Sequence, residues 1–179
     1  MMRIQPSTIN LLILLSIFTI LSGCTTKETP DVKTLSVSSS AFINWGPIPR
    51  VYTCDDKDIS PPLSFSNIPE NVSSFVIFMD DIDTPSEDFV HWIIWNIPRN
   101  VTYLSAGQTT MYPQGTNDFG TIGYRGPCPP AGTHRYSFTV YALDTMLSLN
   151  AGATKKEVQE AIKGHIIAQG QIIGTYTAE

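Results

Sequence analysis

His134-Arg135-Tyr136-Ser137-Phe138-Thr139-Val140-Tyr141-Ala142-Leu143 is the stretch from which the fold class can be read. Tyr136, Phe138, Val140 and Ala142 fall on one side, and Arg135, Ser137, Thr139 and Tyr141 on the other. That period of two belongs to a β-strand with unlike faces. Upstream, residues 74–80 (Ser-Phe-Val-Ile-Phe-Met-Asp) are nearly continuously apolar and rich in β-formers, as in a strand covered on both sides. Residues 90–97 read the same way, with Pro98 as the stop. Downstream, residues 171–177 form a candidate closing strand. One helix is signalled between them. Thr154 opens a capping box with Glu157 at its fourth position, and Val158, Ala161, Ile162, His165 and Ile166 recur at helical spacing. This spacing places His165 on the helix's apolar face in a structural role, with Gly170 as the stop. Strands in series with one late helix predict a mainly β fold, an antiparallel sandwich with a helix packed on it, and not alternating βαβ units.

The rest of the 179 residues adds an appendage at the front. Met1-Met2-Arg3 is a short basic start, and residues 11–21 form an apolar run too short to span a bilayer comfortably but suited to a signal peptide. Leu21-Ser22-Gly23-Cys24 resembles the lipobox of prokaryotic lipoproteins, in which the cysteine thiol carries the lipid. The expected division is a signal peptide over 1–23, a polar tether over 24–40 and a folded domain over 41–179. The expected location is the cell envelope of a prokaryote, with the exported chain anchored in the membrane through Cys24. Export also places Cys54 and Cys128 where disulfides persist. A pair is the economical reading, two separate buried thiols the alternative. The net charge of −5, with only 15% charged residues, shows no basic excess and gives no argument for a nucleic-acid surface, so any anion site must be local.

Polar side chains interrupt the apolar strands at few places. Asp80, Asp81 and Asp83 follow the buried strand directly, at its end. His91 begins the next strand and, by alternation, shares a face with Ile93 and Trp95. His134 and Tyr136 project side by side from their strand. Two imidazoles and a phenol can donate to the oxygens of an anion, and a carboxylate beside a histidine sets its tautomer. Gly126, Pro127, Pro129 and Pro130 would form a stiff loop around such a ligand. A single strand histidine is more commonly a core residue, and an acidic run after a strand more commonly a turn. The spacing of Asp81, His91 and His134 matches no metal motif, so no metal is expected. The phosphate-loop and Gly-x-Ser-x-Gly motifs are missing. With no evident nucleophile, neither catalysis nor a cofactor is expected.

Taken in order, these segments resemble the phosphatidylethanolamine-binding proteins, which include the Raf kinase inhibitor proteins. Asp81-Ile82-Asp83-Thr84-Pro85 is similar to that family's Asp-Pro-Asp-Ala-Pro motif. His91-Trp92 with Asn96-Ile97-Pro98 is similar to a segment of its prokaryotic branch. The run from Gly123 to Tyr136 resembles its Gly-x-x-Pro-Pro-x-Gly-x-His-Arg-Tyr signature. Residues 58–63 and Gly174-Thr175-Tyr176 fit too. The resemblance implies a Greek-key sandwich of two antiparallel sheets with one or two peripheral helices. It implies a pocket for phosphate, acetate or phosphoethanolamine headgroups at Asp81, His91, His134 and Tyr136, with Asp81 orienting His91. Gly126 and Pro127 would supply its loop, and Asp83 would support it with Pro85, preceded by a cis bond as in relatives. Ile82 stands where the family has proline, which implies a less rigid loop. The C-terminal helix of eukaryotic members has no counterpart after Tyr176. The expected function is non-enzymatic binding of a small anion or phospholipid headgroup, the alternative an inhibitor or interaction module for a protease or kinase.

Overall fold

The computed structural model describes residues 1–2, 32–85, 88–107 and 111–178. The chain divides into two compact units, Met1–Pro30 and Asp31–Glu179, and the elements below belong to the second. Cys24 and the rest of the proposed lipobox lie outside the described residues. Among the described residues, no helix is long and apolar enough to cross a membrane.

The described residues of the second unit form nine strands and one α-helix: β1 (Lys33–Thr34), β2 (Ser36–Ser38), β3 (Gly46–Pro47), β4 (Leu63–Ser66), β5 (Ser74–Asp81), β6 (Phe89–Pro98), β7 (Tyr103–Leu104), β8 (Thr133–Leu143), α1 (Lys155–Ile162) and β9 (Ile166–Thr177). The large sheet runs β1-β9-β8-β5-β6, with β3 also on the β9 edge, and the small sheet runs β2-β4-β7. The long strands pair antiparallel. The expected all-antiparallel arrangement fails at one edge, where β1 and β3 both run parallel to β9. They reach that edge through non-local connections, so no hairpin dictates their direction.

β5 is buried along all eight residues, as its unbroken apolar sequence predicts. Phe75, Ile77 and Met79 join Tyr136, Phe138, Val140 and Ala142 of β8 in the core shared with Leu63 and Phe65 of the small sheet. Val76 and Phe78 face the other way, toward Val158 and Ile162 of α1. The fold is therefore three layers: small sheet, large sheet, helix.

Two β-bulges bend β6 against β5. Phe75 pairs with Ile97 but Ile77 with Ile94, so β6 carries one extra residue there. Asn96 takes a φ of 58°, and its side-chain amide accepts from Leu147 N (2.7 Å) and donates to Leu147 O (2.9 Å). The second bulge falls at His91: Met79 pairs with Trp92, yet Asp80 pairs with Val90. An extra residue reverses the alternation beyond it. Ile93 and Trp95 face the helix, whereas His91 packs its ring on Tyr136 in the opposite layer. The expected shared face of His91, Ile93 and Trp95 is therefore wrong.

The helix begins as its sequence indicates. Thr154 Oγ1 accepts from Glu157 N, and the Glu157 carboxylate accepts from Thr154 N at 2.8 Å. It ends at Ile162, well before Gly170. Gly164 turns at a φ of 80°, and Ile166 pairs with Leu143 as the first residue of β9. Edge pairing along β8 overrides the helical spacing of His165 and Ile166. His165 consequently sits outside the helix, half exposed, with Nδ1 2.8 Å from Asp144 Oδ1.

Cys54 and Cys128 are joined, with Cα atoms 5.5 Å apart and a sequence separation of 74. The bond ties the segment after a 3-10 turn at Arg50–Tyr52 to the loop that precedes β8. Closing a loop of that length restricts the unfolded chain by about 4 kcal/mol. The double variant Cys54→Ser, Cys128→Ser is expected to lose stability of that order in urea unfolding. An unchanged midpoint would show that the cross-link adds nothing.

Candidate functional site

At the ends of β5, β6 and β8, three strands deliver four polar side chains to one place. Asp81 is the last residue of β5 and pairs with Tyr136 on one side and Phe89 on the other. His134 precedes Tyr136 by two on β8, so all three face the same layer. The bulge brings His91 to join them, its ring 5.2 Å from that of Tyr136 and nearly perpendicular to it. Phe89 and Phe119 close over the His91 ring at 5.4 and 5.2 Å. Asp81, His91 and Tyr136 are almost wholly buried, and His134, with 17% of its side chain exposed, is the rim.

The hydrogen bonds assign the roles differently from the sequence expectation. Asp81 holds His134: His134 Nδ1 lies 2.7 Å from Asp81 Oδ2. The other carboxylate oxygen accepts from Asp83 N at 3.0 Å, an Asx turn that fixes the carboxylate. His91 is held instead by a backbone group, its Nδ1 2.8 Å from the carbonyl of Arg125. Asp81 thus orients His134 and not His91. The Tyr136 hydroxyl is buried next to the Asp81 carboxylate but makes no hydrogen bond of good geometry among the described residues. Burial first, and the Asp81 carboxylate beside it, push its ionisation far up, so the phenol keeps its proton.

The surrounding loops are pinned. Asp83 receives Arg135 N (2.7 Å) and the Arg135 guanidinium (Nε at 2.9 Å, Nη2 at 2.5 Å), and that guanidinium holds the Asp83 carboxyl below its usual range. Ile82 N donates to Arg135 O at 3.0 Å, a bond that a proline could not make. The departure from the family motif therefore anchors this loop through an extra bond. No peptide bond among the described residues is cis, so the bond before Pro85 is trans, contrary to expectation.

Gly126 N donates to Asp58 Oδ1 at 2.6 Å, and a Cβ on Gly126 would lie 2.3 Å from Tyr52 O and 2.7 Å from Thr53 Cα. Only glycine fits this approach. Pro127 O accepts from Cys54 N at 3.1 Å beside the disulfide. Asp58 also pairs with Arg125 (3.3 Å), whose guanidinium stacks over Phe119. Asp58, Arg125, Phe89 and Phe119 were not singled out from the sequence. Asp58 lay within a recognised motif but carried no role, and the aromatic pair has no signature short of the fold. The wider clefts open elsewhere. One of about 400 Å³, lined by Arg50, Asp55, Cys128 and Pro130 among others, flanks the disulfide, and another of about 460 Å³ lies by the N-terminus of α1. Among the described residues no group of acidic, histidine and cysteine side chains is arranged to hold a metal.

Comparison with known proteins agrees with this fold. The model of the family described as phosphatidylethanolamine-binding protein matches residues 38–177. A UPF0098 protein of Methanothermobacter thermautotrophicus is 47% identical over 148 residues, covering 79% of this chain and 98% of the relative. The UPF0098 protein PH1269 of Pyrococcus horikoshii is 48% identical over 148 residues, covering 77% and 74%. Among solved structures, CT736 of Chlamydia trachomatis, described as a phosphatidylethanolamine-binding protein homolog, superimposes with a TM-score of 0.78 at 41% identity, covering 82% of this chain and 99% of that one. E. coli YBCL, described as a member of the mammalian family, gives 0.75 at 30% identity, covering 81% and 99%. The chain belongs to the phosphatidylethanolamine-binding protein family.

Burial is the largest influence on His91 and pushes its pKa below the ordinary 6.5, against smaller raising effects of the Arg125 carbonyl, Asp81, the Gly126 backbone and Asp58. Since folding lowers this pKa, the unfolded chain takes the proton more readily. The stability tied to neutral His91 is complete above pH 6.5 and is lost as pH falls from there toward the folded value. Thermal unfolding from about pH 7.5 to about pH 5.5 should show a declining midpoint, with a shallower decline in His91→Gln. Parallel profiles would remove His91 as the cause.

Proposed function

We propose that this chain is a non-enzymatic binding protein that captures a small oxyanion at the cluster of His91, His134 and Tyr136. Phosphate, a carboxylate and a phosphoethanolamine-type headgroup are the candidate ligands. The observation that carries the reading is the buried Tyr136 hydroxyl, without a well-formed hydrogen bond among the described residues, beside two positioned imidazoles. A buried donor of this kind costs about 1–3 kcal/mol unless something accepts its hydrogen bond, and a ligand oxygen supplies that acceptor. Asp81 positions His134 at the rim, while Gly126, Pro127 and the disulfide keep the neighbouring loop close. Asp83 and Pro85 belong to the loop that holds Asp81. The protonated phenol and the cross-linked cysteines of the domain support binding over nucleophilic chemistry as the reading.

Export and tethering through a lipid on Cys24 complete the reading, and the Leu-Ser-Gly-Cys sequence supports them. The partner of the domain is then a small anion or headgroup near the envelope surface, met by a protein held at that surface.

Each of His91→Ala, His134→Ala and Tyr136→Phe is expected to weaken phosphate or phosphoethanolamine binding about tenfold or more in calorimetry, the worth of one good hydrogen bond to a charged group. Wild-type affinity in all of them would refute the site. For the tether, mass spectrometry of protein purified from its native membrane should find acyl chains on Cys24, and Cys24→Ser should leave the membrane fraction. An unmodified thiol at Cys24 in membrane-derived protein would overturn the anchor.

A further inference from the structure

The hydrogen bonds that hold the two imidazoles also decide what kind of oxyanion they can receive. A backbone carbonyl only accepts hydrogen bonds. His91 Nδ1, 2.8 Å from the carbonyl of Arg125, must therefore carry the ring's proton. An ionised carboxylate likewise only accepts, so His134 Nδ1, 2.7 Å from Asp81 Oδ2, carries its proton too. A neutral ring held in this way has its remaining nitrogen, Nε2, left with a lone pair. Tyr136 is the reverse case: its buried hydroxyl is a donor that reaches no acceptor in good hydrogen-bond geometry among the described residues, with the Asp81 carboxylate beside it. The cluster thus offers one clear donor beside imidazoles whose free edges accept.

We infer that the pocket selects oxyanions that bring their own proton, that is, hydrogen phosphate and singly ionised phosphomonoesters, over phosphodiesters and sulfate. This inference rests on the oxyanion reading of the site proposed above. A ligand bearing one P–OH can donate to His91 Nε2 while another of its oxygens accepts from Tyr136. A phosphodiester has no such hydrogen. Its oxygens would face the His91 lone pair unless the ring took up a proton, which its burial among Phe89, Phe119 and Tyr136 opposes. An intact phospholipid headgroup is a diester, so the pocket suits a free or hydrolysed headgroup better than one still in the bilayer.

The charges around the cluster leave this proton bookkeeping to the ligand and the two imidazoles. On β5, Asp81 is committed to His134 and to Asp83 N. Arg135 on β8 is committed to Asp83. Across the loops, Asp58 is shared between Arg125 and Gly126 N, and Arg125 lies over the Phe119 ring. Tyr176, opposite His134 on β9, gives its hydroxyl to Asp55 at 2.5 Å, and Tyr124 gives its own to Tyr52 O. Of these groups, the arginines that could neutralise a proton-free anion are both engaged elsewhere.

Calorimetry on the wild-type domain with four probes tests the inference. Phosphate and sulfate are compared at about pH 7.5, where both are largely dianionic but only phosphate retains a proton. Phosphoethanolamine and glycerophosphoethanolamine are compared at about pH 6, near the second pKa of a phosphomonoester, where about half of the monoester retains a proton. Phosphate is expected to bind at least about tenfold tighter than sulfate, and phosphoethanolamine at least about tenfold tighter than its glycerol diester. Phosphate and sulfate are close in size and charge, which separates a proton requirement from simple charge attraction. His91→Gln, whose side chain carries N–H donors, should narrow the phosphate-to-sulfate ratio. Sulfate binding as tightly as phosphate, or the diester as tightly as the monoester, would overturn the proton requirement and leave the oxyanion site standing. Failure of all four probes to bind would overturn both.

Discussion

Strand β5 has no solvent-facing side: all eight of its residues are buried between β6 and β8, under the small sheet on one face and the helix on the other. Its apolar side chains supply the hydrophobic burial around which three layers assemble. The same strand ends in two acids. Asp80 points to the helix side, where Lys155 meets it at 2.8 Å. Asp81 points to the opposite side, where it meets His134. A carboxylate at the end of so enclosed a strand cannot be left unpaired without large cost. Both faces of the sheet have accordingly placed a cation or an imidazole against it.

From that constraint the site follows. Asp81 is fixed by Asp83 N, the Asp83 loop by Arg135, and Arg135 by its place on β8 next to Tyr136. His134 is oriented as a consequence. The far wall is organised separately, by Asp58 on Gly126 and by the carbonyl of Arg125 on His91. The disulfide joins these parts, since Cys54 and Cys128 lie in the two segments that meet at Gly126. The cluster is therefore supported from strands on one side and cross-linked loops on the other, a rigid frame for a small ligand.

The alternation of residues 134–143 and the capping box at Thr154 were legible because each is local: one depends on side-chain direction along a strand, the other on hydrogen bonds within a single turn. The helix end was not legible. Val158, Ala161, Ile162, His165 and Ile166 keep helical spacing, yet Ile166 belongs to a strand because β8 offers a complete ladder of partners there. The parallel placement of β1 and β3 was hidden for a similar reason, as nothing in two residues of sequence indicates which edge they will join.

Residue pattern by itself determined the mainly β character, the fully buried strand, the pairing of His134 with Tyr136 on one face, and the acids at the strand's end. Those features depend on period-two geometry and on burial, both of which are written in neighbouring residues. Which histidine the acid holds was decided by tertiary structure alone. One extra residue in β6 reverses the face of His91, and that residue is extra only relative to its partner strand. The carbonyl that then receives His91 comes from Arg125, 34 positions away. Register between strands is a property of pairs, and no single strand contains it.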